Sequence, residues 1–305
     1  MSLLRLNRPV GRYAARLYTR LRYGAARAHF EEWWPFLSLT KPGADGADGA
    51  IRYGGRTIAP LLPYPDAPAR QDELLVVGSG PSLAAQATDR LPLERAILLN
   101  GAIHLLRPPV RPFALVVEDE RFVWRHRQKL EQLVPAGTDC YFSTSVIRAL
   151  CQTAPDWLSR QRIRHIDFVH RPYKKPKPGE ASLRTLPFLR WSADGSVAIS
   201  LEPRSGIAPA GSVAVTAAQI ALSLNPSRIG FAGIDLTATK APRFYETEGD
   251  TAMSKLDVAV DRILGAFRLV ADEADRRGIR LENYSPVSLL ATVDRVAYSP
   301  RLEQR

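Results

Sequence analysis

The chain has only two cysteines in 305 residues, Cys140 and Cys151. Two thiols build neither a disulfide framework nor a metal-ligand spacing, which fits a reducing, cytoplasmic compartment. No apolar run is long enough to span a bilayer. The N-terminus lacks the apolar centre of a secretory signal, although its composition also suits a transit peptide. There is no Gly-Lys-Ser/Thr phosphate loop. Acids are the minority: 31 Asp and Glu against 42 Lys and Arg leave a formal net charge of +11. That excess predicts attraction to anionic surfaces, nucleotides or acidic glycolipids, and says nothing about fold. A hydrophobic content of 45% over this length supplies a real core in one large or two small domains.

What is present begins with arginine. Arg5, Arg8, Arg12, Arg16, Arg20, Arg22 and Arg27 all precede the first acid, Glu31. Val10, Tyr13, Leu17 and Leu21 recur at helical spacing, with Arg12, Arg16 and Arg20 on another face, and Phe30, Trp33, Trp34 and Phe36 follow. Two readings stand for residues 1–40: a basic amphipathic helix on the inner face of an anionic membrane, or a helix packed on the domain with its arginines in water. Residues 41–72, rich in Gly, Pro, Asp and Ala, read as a linker with a small hairpin at Ile51–Ile58. The globular domain is expected over 73–298.

That domain opens on Leu74-Leu-Val-Val77, a short apolar run typical of a buried parallel strand. It stops at Gly78-Ser79-Gly80, where glycine permits a tight turn. Pro81 suits the first turn of a helix whose free amides would face a phosphate. Leu83 stands where the dinucleotide fingerprint has its third glycine. Apolar runs at 95–100, 113–117 and 140–143, helical stretches at 121–134 and on to Leu150, and a second set (helix 213–224, strand 228–235, helix from Leu256 to near Gly278, strand 279–283) follow. The alternation predicts an α/β fold with an open, doubly wound, mostly parallel, Rossmann-like sheet. Ligands of such sheets lie outside the carboxyl ends of the strands, which places Gly78–Gly80, Asn100 and Glu118-Asp119-Glu120 on one rim. Residues 160–205, with many Arg and Lys and few acids, read as a solvated loop or as a lid for an anionic acceptor.

Four blocks then stand in order: Gly78-Ser-Gly-Pro-Ser-Leu83; Asn100; Pro209-Ala-Gly-Ser212 running through a helix to Gly233-Ile-Asp235; and Ser285-Pro-Val-Ser-Leu-Leu290. The set resembles bacterial sialyltransferases of glycosyltransferase family 42, and their relatives among flagellin-glycosylation proteins and 6-hydroxymethylpterin pyrophosphokinase-like domains. The resemblance implies a CMP-sugar donor, no metal requirement and inverting transfer by direct displacement. It further implies that Gly78, Ser79, Gly80, Ser82 and Asn100 hold the nucleotide. Gly211, Gly233 and Asp235 would line the sugar-phosphate and ribose side, and Ser285 and Ser288 would close the pocket. The catalytic half departs from the family. The lid stretch 246–253 has no histidine, Thr237 stands where the family has a tyrosine, Tyr245 answers a second lid tyrosine, and Glu118 replaces an asparagine.

The expected activity is transfer of a CMP-activated, sialic-acid-like sugar to a surface glycan or glycolipid, as in lipopolysaccharide or capsule synthesis. A carboxylate would take the place of the missing histidine, the catalytic candidates being Glu118, Asp119, Tyr245 and Glu248, with Glu246 and Asp250 beside them. Asp119 and its neighbours also read as complements to a helix N-terminus, and the lid acids as a solvated loop. Of the five histidines, His29, His104, His126, His165 and His170, His104 and His126 read as structural or exposed. Two alternatives remain at this point: a pyrophosphokinase-like enzyme with Mg²⁺ held by Glu118, Asp119 and Asp235, and a non-catalytic nucleotide- or glycan-binding protein. Nucleic acid is not an expected partner.

Overall fold

The computed structural model describes residues 11–43, 45–66, 73–236, 243–245 and 259–304. Helix α1 (Gly11–Tyr23) leads through a 3-10 turn at Ala25–Glu32 into a three-stranded antiparallel sheet of β1 (Leu37–Thr40), β2 (Gly49–Tyr53) and β3 (Arg56–Leu61). The hairpin read at Ile51–Ile58 thus runs from Gly49 to Leu61 and gains β1 as a third strand. Ile51, Ala59 and Leu61 are buried in the same core as the main domain. Residues 49–61 therefore belong to the globular body, a correction to the linker expected there. Their Gly-rich composition serves the two-residue turn at Gly54-Gly55, where φ is positive at both positions.

The main sheet starts at β4 (Leu74–Val77) and proceeds through β5 (Ala96–Leu99), β6 (Ala114–Val117), helix α2 (Glu120–Leu133), β7 (Asp139–Ser143), helices α3 (Thr144–Thr153) and α4 (Pro155–Ser159), and β8 (Arg162–Ile166). A short helix α5 (Glu180–Arg184) and a hairpin of β9 (Leu189–Trp191) and β10 (Ala198–Ser200) intervene. Then come α6 (Val213–Ser223), β11 (Arg228–Ala232), α7 (Val260–Arg276), β12 (Arg280–Asn283) and β13 (Val296–Tyr298). The eight-stranded sheet has the order β13-β12-β11-β4-β5-β6-β7-β8, and every pairing in it is parallel. The chain moves outward from β4 to β8, then returns to place β11 beside β4. The order reverses there, so the crevice beyond the carboxyl ends of β4 and β11 is the expected ligand position.

Strand residues alternate between two cores. Leu74, Val76, Ile97, Leu99 and Val116 pack with α6 and α7. Leu75, Val77, Leu98, Leu115 and Val117 pack with α2, α3, α4 and the small N-terminal sheet. Burial on both faces explains why these strands read as unbroken apolar runs. Ser143 and Ser212 cap α3 and α6 through hydrogen bonds to Val146 N and Ala214 N, each cap contributing about 1 kcal/mol.

Residues 160–205 differ from the open loop expected of them. Arg164 of β8 is buried and paired with Asp139, and Arg162 joins the same carboxylate at 3.0 Å. Arg190 and Arg184 pair with Glu273 and Glu180. Arg164 and Arg190 thus tie β8 and β9 to other elements, while the Arg184 pair lies within α5. Strand β8 escaped the sequence reading because its polar residues are satisfied only by distant partners.

Candidate active site

The glycine turn and Asp235 form one clamp. Gly78 N donates to Ala232 O at 2.8 Å and Gly80 N to Gly233 O at 2.9 Å. Two of the amides assigned to a phosphate are therefore committed to the end of the neighbouring strand β11. A Cβ at Gly80 would collide with the Asp235 carboxylate, and one at Gly78 with the Gly233 backbone. Glycine is needed here for chain-to-chain approach, a requirement that holds without any bound phosphate. Nor is there an α-helix to follow: Pro81–Ala85 is a single 3-10 turn. Gln86 leaves it to donate to Tyr284 O at 2.6 Å, and Ala87 N bonds Leu302 O at 2.9 Å, so the C-terminal segment holds the chain out of a helix.

Asp235 is only 4% exposed. Its Oδ2 accepts from Ser82 N at 2.8 Å, and its Oδ1 accepts from Ser82 Oγ at 2.5 Å and from Ser285 Oγ at 2.9 Å. Ser288 Oγ donates to Ile234 O at 2.5 Å, while Leu289 N donates to Asp235 O at 3.2 Å. Ser82, Asp235, Ser285 and Ser288 thus converge, as the ordered blocks imply. They converge on one another: the aspartate ties three loops, and its oxygens are engaged rather than turned to a ribose. Gly233, with φ of 61°, packs against Leu83. Gly211 (φ 96°) lies apart from this clamp, beside Ala259 and Arg262.

Ser79 opens the second half of the site. Its Oγ accepts from Arg243 Nη1 at 2.9 Å. Two residues on, the Tyr245 ring stacks on His104 with 4.4 Å between centroids and 4° between planes, and meets His126 edge-on at 5.7 Å. The same ring lies over Gly101, where a Cβ would strike it. Residues 243–245 therefore bridge the carboxyl ends of β4 and β5. Phe122 also packs on His126 at 4.8 Å and extends the aromatic group. His104 and His126 are 22 positions apart in sequence with no shared motif, and nothing local pairs them. Burial, with Lys129 adding to it, lowers the pKa of His104.

Asn100 and Glu118 stand at the ends of β5 and β6. Asn100 adopts the left-handed conformation at φ 45° as the chain turns out of β5. Among the described residues, Asn100 Oδ1, Glu118 Oε1 and His104 Nε2 are enclosed and have no hydrogen-bond partner. Burial raises the pKa of Glu118 from 4.5 to about 7, with the Thr216 hydroxyl on α6 opposing and the Asp119 charge reinforcing the rise. The adjacent acids are otherwise employed. Asp119 caps α2 by accepting from Arg121 N at 2.9 Å and pairs with the Arg121 guanidinium. Glu120 is buried against Arg148. Asp119 is thus a helix cap, which removes it from the catalytic candidates. Among the described residues no group of three His, Cys, Asp or Glu side chains forms a metal-ligand set, and Asp119 and Asp235 are each bound elsewhere, so the three acids of the Mg²⁺ alternative do not assemble. Thr237, Glu246, Glu248 and Asp250 lie outside the described residues.

No family model matches the chain. A probable 3-deoxy-manno-octulosonic acid transferase of Salmonella typhimurium is 28% identical over 214 residues, covering 64% of this chain and 76% of that protein. The sialyltransferase CstII from Campylobacter jejuni in complex with cytidine-5'-monophosphate is 14% identical, over 78% of this chain and 88% of that one, with a TM-score of 0.42. Its complex with CMP-3FNeuAc is 13% identical over 77% and 91%, with a TM-score of 0.38.

Proposed function

We propose that the chain is a glycosyltransferase that moves a carboxylate-bearing sugar from a CMP-activated donor to a glycan or glycolipid acceptor, by metal-independent direct displacement. The observation that carries this reading is three enclosed polar atoms without a partner among the described residues, Asn100 Oδ1, Glu118 Oε1 and His104 Nε2, each in the segment that follows the carboxyl end of β5 or β6. Buried polar atoms almost always have partners, so these three, after the two strands that follow β4 in the sheet, read as positions that a ligand completes. The ordered motif blocks and the octulosonic acid in the Salmonella relative's name support an acidic sugar as the transferred group.

In this reading Arg243 and Ser79 meet the donor phosphate, where a guanidinium's fork suits its oxygens. Asn100 faces the base or ribose, and the Tyr245–His104 pair offers a flat surface for a ring. Glu118 is the general base: it takes the proton of the acceptor hydroxyl as that oxygen bonds the anomeric carbon. The bond from that carbon to the phosphate oxygen breaks in the same step, and CMP leaves with the electron pair. A base pKa near the working pH gives proton transfer its best compromise. Glu248 stays a candidate of the lid, and the Gly78–Ser82, Gly233–Asp235 and Ser285–Ser288 loops are the frame that holds the nucleotide side. Gly211 lies on the sugar side in the same reading.

The test is incubation with CMP-activated sugar acids and a panel of acceptors, with and without EDTA, read by product mass. The expected result is CMP release and an acceptor heavier by one sugar acid, undiminished by EDTA. A Mg²⁺-dependent product gaining a diphosphate overturns the proposal, as does calorimetry in which ATP or GTP binds and CMP does not.

A further inference from the structure

Helix α1 is amphipathic the wrong way round for a helix packed on a protein. Its buried positions are Arg12, Ala15 and Thr19. Arg12 pairs with Glu31 at 2.8 Å and donates to Trp34 O at 2.9 Å, and Thr19 Oγ1 donates to Arg16 O or Ala28 O, each at 3.1 Å. Small and polar groups thus dock the helix on the body. Its apolar residues Tyr13, Leu17 and Leu21, four apart and so on one face, are 63%, 59% and 78% exposed. Soluble helices normally turn such a stripe inward. Of the eight large hydrophobic residues exposed among the described ones, six lie between Tyr13 and Phe36, so the feature is one patch and not scattered surface.

The charge around that patch says what covers it. Arg16 and Arg20 border the stripe, and Arg22 and Arg27 continue it; all four are exposed. Lys174, Lys175 and Lys177 are exposed too, on the loop that leaves β8. That loop is fastened next to Arg27 by Lys177 N donating to Ala26 O at 2.8 Å. Four arginines on and just after α1 and three lysines on a loop tied to Ala26 thus lie on the same part of the chain as the apolar stripe, with Tyr18 and Trp34 stacked, 4.6 Å between centroids. Apolar residues that enter the acyl boundary, cations at headgroup level and aromatic rings between them match the layers of an anionic bilayer. Among the described residues no helix is long and apolar enough to cross a membrane.

We infer that the outer face of α1 docks on an anionic lipid surface, with Tyr13, Leu17 and Leu21 inserted and the Arg16–Arg27 and Lys174–Lys177 cations on the headgroups. The inference does not depend on the reaction proposed above.

Co-sedimentation of the full chain with vesicles tests it, using pure phosphatidylcholine and phosphatidylcholine with phosphatidylglycerol at low and high salt. Wild type should bind the anionic vesicles, lose binding at high salt and ignore the neutral ones. Arg16→Gln with Arg20→Gln should weaken binding about 30-fold, at roughly 1 kcal/mol for each cation near the surface. Leu17→Glu with Leu21→Glu should abolish it, with circular dichroism and urea midpoint unchanged because both side chains stand in solvent. Undiminished vesicle binding by this double glutamate variant overturns the proposal. So does a wild-type dimer in light scattering that the same variant turns into a monomer, which would assign the stripe to a second copy of the chain.

Discussion

Replacing Glu118 with glutamine separates its cost to the fold from its use in the reaction. Its carboxyl holds its proton to about pH 7 in the folded chain, against an ordinary 4.5, because burial disfavours the charged form. Below pH 4.5 the folded and unfolded states both carry the proton. Between 4.5 and 7 the unfolded chain releases it and the folded chain does not, so stability falls as pH rises, and the loss is complete above 7. At about 1.4 kcal/mol per pH unit the interval amounts to about 3 kcal/mol. A glutamine side chain cannot ionise, so the variant escapes this loss. Urea unfolding should find Glu118→Gln more stable than wild type at about pH 8 by up to about 3 kcal/mol, and close to it at about pH 4.5. Activity should move the other way. CMP release by wild type should rise with pH through about 7 as the carboxylate forms, whereas the variant should be flat with pH and slower by about 10²–10⁴-fold. CMP affinity should hold. Equal loss of stability in both proteins over that pH range, or a variant as active as wild type, refutes the reasoning.

Asp235→Ala should unfold the site rather than merely empty it. Three donors lose a carboxylate acceptor, and at about 1.5–3 kcal/mol for each such bond, reduced by partial rescue from water, a loss of about 3–5 kcal/mol is expected in urea titration. An aspartate whose work is at the ribose would instead weaken CMP without changing the midpoint. Gly80→Ala should show a smaller version of the same defect, because its methyl group meets that carboxylate. Gly101→Ala should displace the Tyr245 ring and lower turnover, while stability changes by less than about 1 kcal/mol because a side chain and not backbone must yield; unchanged turnover removes Tyr245 from the site.

Strands β4, β5, β6, β7, β11 and β12, and helices α2, α3, α6 and α7, were legible because each is bounded by short-range signals. A strand buried on both faces is apolar at every position, as in Leu74–Val77, and α6 begins where Ser212 caps it. Their alternation sufficed for the parallel sheet and for placing Asn100 and Glu118 on its rim. Local pattern failed where a residue's role depends on a partner far along the chain. Arg164 is a core residue only because Asp139 faces it, 25 residues away. The glycines at 78 and 80 mark a tight turn in any reading, but only the tertiary structure fills the space beside them, with the end of β11 and with the distant Asp235. The same holds for the chemistry. Three neighbouring acids look alike in Glu118-Asp119-Glu120. The fold makes one a buried acid with a displaced pKa, one a helix cap and one half of a buried ion pair. Composition and spacing thus determined the sheet, its rim and the basic N-terminal helix. Which carboxylate keeps an oxygen without a partner among the described residues, which histidines meet Tyr245, and which face of α1 looks outward were decided by packing, because burial and pairing are properties of the assembled chain and not of any segment of it.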